Sequence, residues 1–431
     1  MTLRAVVVVL DGLRRDMLRA ETTPALADFA AATTRFAAHR SVFPSATRVV
    51  SACFATGCWP ARHGLLGNSV ALMEDGELVA HDVGRPDFMD HLRGQRGHSL
   101  AMPTMAERLA RAGREAMLFS NVSPGAARAH DPDGHGWVLH RAWAHGPGLR
   151  RLEGAEAVAS VTPDAAGDRM LTEAFLARAL AGRQAALAVL WLGEPDTTQH
   201  AVPLGSPAAM AAIAAADARF AQVRAAVQAR RVLGEDILLI ACSDHGHQTV
   251  HAVVDIEAEL IAAGLKRDAA DAGLISVSNG TAALVYLHPD RAPQAAAVLA
   301  FLAARPWTGA VFSGTALAEI GHAPRDHLLC AVAMATEPTA NDYGVPGLAY
   351  AARPAAGKPD RLGCGQHGGL GAAEQMPFLM IEGAGFAAGA THGGPSSPVD
   401  LAPTILRHLR LPAQGCDGTA LQTPTLENDD D

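Results

Sequence analysis

The residues at 4–10, RAVVVVL, place six apolar side chains in unbroken succession and stop at Asp11-Gly12. A β-branched run of this length predicts a strand covered on both faces, with a polar residue at its C-terminal end. The same pattern returns in REAMLFS (114–120), in AALAVLWL (185–192, followed by GEPD) and in DILLIACSDHGH (236–247). Between these runs the spacing turns helical: ACFAT with its flanks up to Gly57, PTMAERLARAG (103–113), about 168–180, and the Ala-rich stretch SPAAMAAIAAADARFAQVRAAVQAR (206–230). Alternating helices and wholly apolar strands predict a mostly parallel sheet with helices on both faces. Polar clusters recur just past the strand ends, where open α/β sheets bind ligands.

From about 252 to 358 the pattern differs. LISVSNGTAALVYL, the helical APQAAAVLAFLAA, GAVFS and HLLCAVAMA predict a small α+β insertion, and a Gly/Pro-rich stretch then leads back to the main sheet. MPFLMIEG and the helical PVDLAPTILRHL resume it. The expected domains are a catalytic core of 1–251 and 359–426, an inserted cap of 252–358, and a disordered acidic tail of 427–431.

Composition narrows the function. The chain has 431 residues, 49% of them hydrophobic, enough for one large domain with an insertion. A net charge of −9 argues against a broad face for duplex nucleic acid. Lys266 and Lys358 are the only lysines. The six cysteines are scattered and form no C-x-x-C pair, so they read as reduced thiols. MTLRAVVVVLDGLRRD lacks the features of a secretory signal, and no apolar run is long enough to span a membrane. The expectation is a cytoplasmic protein away from membranes. A homodimer is carried as an option for the oligomeric state.

Four polar clusters carry the chemistry: Asp11; Asp196 with His200; Asp244-His245; and His367 in GQHGG. Singly, each has a plain reading as a turn, a cap or an exposed loop. Together they supply six oxygen and nitrogen donors at the places where a parallel sheet gathers its ligands, which suits zinc. Six donors divide into two sets of three. Two ions about 4 Å apart suit an in-line displacement at phosphorus.

At these residues the chain resembles the nucleotide pyrophosphatase/phosphodiesterase family of the alkaline phosphatase superfamily. The matching motifs are Thr47 ahead of an apolar helix, Thr56-Gly57-Cys58-Trp59-Pro60-Ala61-Arg62-His63-Gly64, and Asn68. Further on come Glu194-Pro195-Asp196-Thr197-Thr198-Gln199-His200, Ser243 to Gly246, and Gln366-His367-Gly368, with DLAPTILRHLRLP and DGTAL near the C-terminus. The resemblance implies an alkaline-phosphatase-like α/β sandwich. It implies one zinc on Asp196, His200 and His367, and another on Asp11, Asp244 and His245 with Thr47 as nucleophilic ligand; manganese or iron could substitute. Asn68 would donate its amide to the phosphoryl oxygens. The implied reaction is phosphodiester or nucleotide pyrophosphate hydrolysis through a covalent phosphothreonine. The substrate would be a small phosphoester or phosphonate.

The stretch FPSATRVVSACFATGCWPARHGLLGN (43–68) offers further nucleophiles. Cys58-Trp59-Pro60-Ala61-Arg62 imitates the sulfatase pattern Cys-x-Pro-x-Arg. In sulfatases of this superfamily, however, the nucleophile lies nine residues before the Thr-Gly pair, and counting back from Thr56 gives 47. Ser45 is expected to end the loop into the helix, with Ser51 and Cys53 packed inside it. The family's usual Phe-Pro-Asn-His after the threonine is replaced here by Arg48-Val49-Val50-Ser51. Arg48 is either a helix-surface residue paired with an acid or a contact to a second anionic group on the substrate. The latter favours a phosphonate or phosphate monoester hydrolase, akin to phosphonoacetate hydrolases, as the alternative activity. The same fold could also serve a non-catalytic binding protein or a phosphate-carrying mutase. Arg128 and His130 are further candidates for the pocket lining. His247 either supports the metal on His245 or faces solvent.

Overall fold

The computed structural model describes residues 2–423 apart from 86, 159, 160 and 184, so the acidic tail expected at 427–431 lies outside the described residues. A ten-stranded sheet forms the centre. Its order is Thr391–Ser396, Thr34–His39, Leu379–Glu382, Asp236–Cys242, Leu3–Leu10, Leu187–Leu192, Ala116–Ser120, Trp137–His140, Trp143–Gly146 and Arg150–Arg151. The five strands from Asp236–Cys242 to Trp137–His140 are mutually parallel. Antiparallel pairings begin outside them, at Leu379–Glu382 on one side and Trp143–Gly146 on the other.

Successive side chains of a strand point to opposite faces, so an all-apolar strand needs cover on both. Val7 and Val9 face a core with Val49, Cys53 and Phe54 of helix Thr47–Thr56 and Ile405 of Leu401–His408. Val6 and Val8 face a second core with Phe29 of Pro24–Ala32, Phe175 of Ala165–Phe175, and Ile213 and Phe220 of the long helix Pro207–Val232. Ser206 caps that helix by accepting from the Ala209 N–H, and a proline occupies its first position.

The chain between 252 and 358 contains an antiparallel sheet ordered Leu274–Ser278, Ala282–Leu287, Leu328–Met334, Thr308–Ser313. One face carries helices Ile256–Ala262 and Ala295–Ala303 over a separate apolar core. The other packs on hairpin Ser69–Glu74/Glu77–Asp82 and on Leu65 and Leu66. Strand Gln248–Val254 pairs in parallel with Pro346–Ala352 and antiparallel with Gly365–Gln366. That three-strand junction returns His367 to the neighbourhood of His245. Among the described residues no helix is long and apolar enough to cross a membrane.

Opposite the polar strand ends, Arg4 is fully buried. It donates to the carbonyls of Ala185 (3.0 Å), Ala179 (2.6 Å) and Leu180 (3.4 Å) and pairs with Glu235 at 2.9 Å. Removing the cation takes the donor from three carbonyls in a dry site, while Glu235 keeps its ion pair with Arg230. Arg4→Ala should therefore lose about 2–3 kcal/mol of stability in urea unfolding, the cost of leaving buried carbonyls without a donor. A loss below about 1 kcal/mol would show that water replaces the guanidinium.

Candidate active site

The adjacent strands Asp236–Cys242, Leu3–Leu10 and Leu187–Leu192 end in register, with Val9 opposite Cys242 and Leu10 opposite Leu192. Their next residues therefore meet in space, and Asp11, Asp244-His245 and Asp196 come from these three ends. The carboxylates are held in a common way. Asp11 Oδ2 accepts from the Trp191 indole at 2.9 Å, and Asp244 Oδ1 accepts from the Gly12 N–H at 3.0 Å. The other oxygens, Asp11 Oδ1 and Asp244 Oδ2, are buried without a hydrogen-bond partner, as is Asp196 Oδ1. Burial first, then the charges of Asp244 and Asp196, pushes the Asp11 carboxyl well above its ordinary value. Asp244 is pushed up to about 7, mainly by burial. For Asp196 burial also pushes upward, but His200, His247 and His367 outweigh it and hold the group well below the usual range.

The histidines complete two donor sets. His245 Nε2 lies 3.1 Å from Asp244 Oδ2 and 3.5 Å from Asp11 Oδ1. Around Asp196 Oδ1 stand the Nε2 atoms of His247 (2.9 Å), His200 (3.3 Å) and His367 (3.6 Å); those of His200 and His367 are 3.2 Å apart. Metal–ligand lengths of 2.0–2.1 Å put tetrahedral donors about 3.3 Å apart, so both sets have the right size. The rings of His245 and His367 stack at 3.6 Å and join the two sets. Every Nδ1 faces a backbone carbonyl: His200 to Gly365 (2.8 Å), His367 to Ser45 (2.7 Å), His245 to Gly246 (3.1 Å) and His247 to Gly12 (3.0 Å). A carbonyl only accepts, so the proton of each neutral ring sits on Nδ1 and the Nε2 lone pair points into the cluster. Burial lowers His200 to about 4 and His245 to about 3, which favours that neutral form. The orphaned oxygens and inward lone pairs fit two divalent ions.

Thr47 opens helix Thr47–Thr56, and its Oγ1 is 3.1 Å from His245 Nε2. The first helical bond runs from the Val50 N–H to the Ala46 carbonyl, so the N–H groups of Thr47, Arg48 and Val49 precede it. Ser45 is buried and holds the His367 loop: its Oγ accepts from the Gly368 N–H at 3.0 Å and donates to the Gly369 carbonyl at 3.1 Å. Ser51 and Cys53 are buried within the helix. Cys58 lies beyond its C-terminal Gly57, near the Gly415 carbonyl at 3.2 Å.

A cleft of about 200 Å³ adjoins the clusters, and Arg48, Asn68, Asn279, Lys358 and Arg361 line it beside His200 and His367. Arg48 is paired with an acid, as one sequence reading expected, but inside the cleft rather than on a surface. Its Nη1 is 3.9 Å from Asp82 Oδ1, and Lys358 Nζ is 2.6 Å from Asp82 Oδ2. Lys358 and Arg48 hold Asp82 below its ordinary value against the upward push of burial. Among the described residues the lining contains no Phe, Tyr or Trp.

Two expectations need correction. Arg128 and His130 do not line the cleft. Arg128 pairs with Asp90 at 3.4 Å, and His130 packs against Trp191 and Phe54. His247 is fully buried and joins Asp196, not the set around His245. Gly12 makes room for it: at φ +70° a Cβ there would sit 2.4 Å from the His247 ring. Sequence reasoning also missed two buried acids. Asp168 accepts from the N–H groups of Gly193 and Glu194, and Glu374 from those of Gly369 and Gly371. They shape the loops that carry Asp196 and His367. Glu374 was signalled only by its place beside the Gly-rich GQHGGLGAAE, and Asp168, inside a helical stretch, gave no signal.

The fold has solved relatives. The murine ectonucleotide pyrophosphatase / phosphodiesterase 5, an inactive variant in complex with AMP, is 20% identical, with a TM-score of 0.67 over 97% of each chain. The human ectonucleotide pyrophosphatase / phosphodiesterase 5 is 16% identical, with a TM-score of 0.66 over 96% of this chain and 97% of its own. No curated protein sequence matches. Residues 5–305 match the pattern of type I phosphodiesterase / nucleotide pyrophosphatase, a span that contains Thr47, Asp196 and Asp244. The chain therefore belongs to the type I phosphodiesterase / nucleotide pyrophosphatase family, hydrolases that act on phosphodiester bonds.

Proposed function

We propose that the chain is a two-zinc phosphodiesterase acting through a covalent phosphothreonine at Thr47. The observation that carries this reading is the Thr47 hydroxyl 3.1 Å from His245, at a helix start beside two donor sets. Asp196, His200 and His367 would hold one zinc, with His247 beside them; Asp11, Asp244 and His245 would hold the other. Manganese or iron could take either place. When bound, the ions favour the alkoxide of Thr47 and offset charge on the phosphoryl oxygens. The Thr47 Oγ1–P bond forms as the P–O bond to the leaving alcohol breaks. Water then attacks phosphorus, the P–Oγ1 bond breaks, and a proton returns to Thr47. Asn68 and the first N–H groups of the helix would donate to the phosphoryl oxygens as their charge grows. In this reading residues 1–251 and 359–426 form the catalytic core and 252–358 a cap over it.

A second reading, hydrolysis of a phosphonate or phosphate monoester, draws support from the cleft. Arg48, Lys358 and Arg361 gather positive charge in a small cleft that, among the described residues, offers no Phe, Tyr or Trp face for a base. The AMP belongs to the murine relative; in this chain a compact substrate with a second anionic group suits the cleft better. The solved relatives are named as ectonucleotide enzymes, which does not support the cytoplasmic expectation.

Thr47→Ala should abolish turnover while zinc stays near two ions per chain at the two donor sets; full activity would remove Thr47 as nucleophile. Arg48→Ala or Lys358→Ala should cost about 10- to 100-fold in kcat/KM on substrates with a second anion, the worth of one charged hydrogen bond. Equal losses on simple aryl diesters would assign both cations to structure. His247→Ala should weaken retention of one zinc about 10- to 100-fold against a chelator while the other stays. Unchanged retention of both would show that Asp196 needs no help from His247.

A further inference from the structure

Outside the active site, a second kind of donor cluster lies on the hairpin Ser69–Glu74/Glu77–Asp82 and the helix Phe88–Arg96. Glu74 ends the first strand, His81 lies near the end of the second, and His91 comes from the helix. Both histidine Nε2 atoms approach the same oxygen, Glu74 Oε1, at 2.7 Å each. Their rings are 4.7 Å apart and inclined by 32°. Only His91 makes a hydrogen bond of good geometry to that oxygen. His81 Nε2 is buried, lies at the same distance and has no hydrogen-bond partner. Two imidazoles crowding one carboxylate oxygen, one of them misaligned for a hydrogen bond, is an arrangement that a shared cation explains.

We propose that Glu74, His81 and His91 form a third metal site, separate from the two donor sets beside Thr47. The donor atoms all lie within 4.8 Å of one another. Two imidazoles and one carboxylate make a three-ligand set that zinc accepts, with water in the fourth position. The side chains are 20%, 19% and 34% exposed, so a solvent ligand has access. The buried ring of Phe88 stands 5.9 Å from His81 and 6.4 Å from His91 and walls the other side with apolar surface. With two nitrogens and one carboxylate the site selects zinc or a similar transition ion over calcium or magnesium, which need more oxygens.

The position suggests its purpose. The hairpin rises directly after Asn68 and closes at Asp82, and the Val83 N–H donates to the Asn68 carbonyl at 3.0 Å across its base. Asn68 lines the cleft, and Asp82 pairs with its cations Arg48 and Lys358. An ion on Glu74, His81 and His91 ties the helix to the hairpin and steadies both feet. It is a positioning device and takes no part in the bond changes at phosphorus.

The test is metal content of the full chain across buffered free zinc, for wild type and for the double variant His81→Ala/His91→Ala. Wild type should take up one zinc more per chain than the double variant. Glu74→Gln, which keeps the shape, should weaken that extra ion about tenfold or more. Cobalt loaded last should give a visible band that only wild type shows, and magnesium should not compete. Equal zinc uptake by wild type and the double variant, with circular dichroism showing both folded, would overturn the site. So would magnesium displacing the extra ion. The Thr47 centre is judged separately, because its ions remain in the double variant.

Discussion

Three carboxylates, Asp11, Asp196 and Asp244, are packed together at the ends of neighbouring parallel strands, and their mutual repulsion in a dry site is the constraint the rest of the centre answers. Buried anions of like sign raise one another's free energy unless positive charge intervenes. Each element of the surroundings deals with part of this. Trp191 and Gly12 each take one oxygen, which leaves the second aimed inward. Four imidazoles, each pinned through Nδ1 to a carbonyl, turn lone pairs toward the same space. A site so rich in electron pairs and poor in donors fits cations.

The scaffold makes that concentration tolerable. Strand Leu3–Leu10 is apolar on both faces and pairs with its neighbours along almost its whole length. The backbone around the acids is therefore fixed before any ion binds. Arg4 and Glu235 anchor the opposite end with a buried pair. Asp168 and Glu374 reinforce the two loops that arrive from farther away.

Much of this was legible in the residues. Unbroken β-branched runs located the parallel strands, and acids following those runs located the centre. The register of Thr47 against Thr56-Gly57 singled out the helix start over Cys58. What stayed hidden depends on long-range pairing. Leu379–Glu382 runs antiparallel, and a short apolar run carries no direction. The hairpin at 69–82 went unread, although Asp75-Gly76 is a strong turn signal. Asp82 and Lys358 are 276 positions apart, so no local pattern announces that they share one ion pair with Arg48. His247 could not be placed because its surroundings come from Gly12 and Gly365, on separate parts of the chain.

The Arg48–Asp82–Lys358 group also bears on how a substrate arrives. The chain as a whole is acidic, so its distant field disfavours an approaching anion. Beside the cleft, Asp82 offsets one of the three positive charges of Arg48, Lys358 and Arg361. On the proposed reading, discrimination would fall to the bound state, where a substrate anion would compete with Asp82 for Arg48 and Lys358. Preferred and rejected molecules would differ mainly in how long they stay.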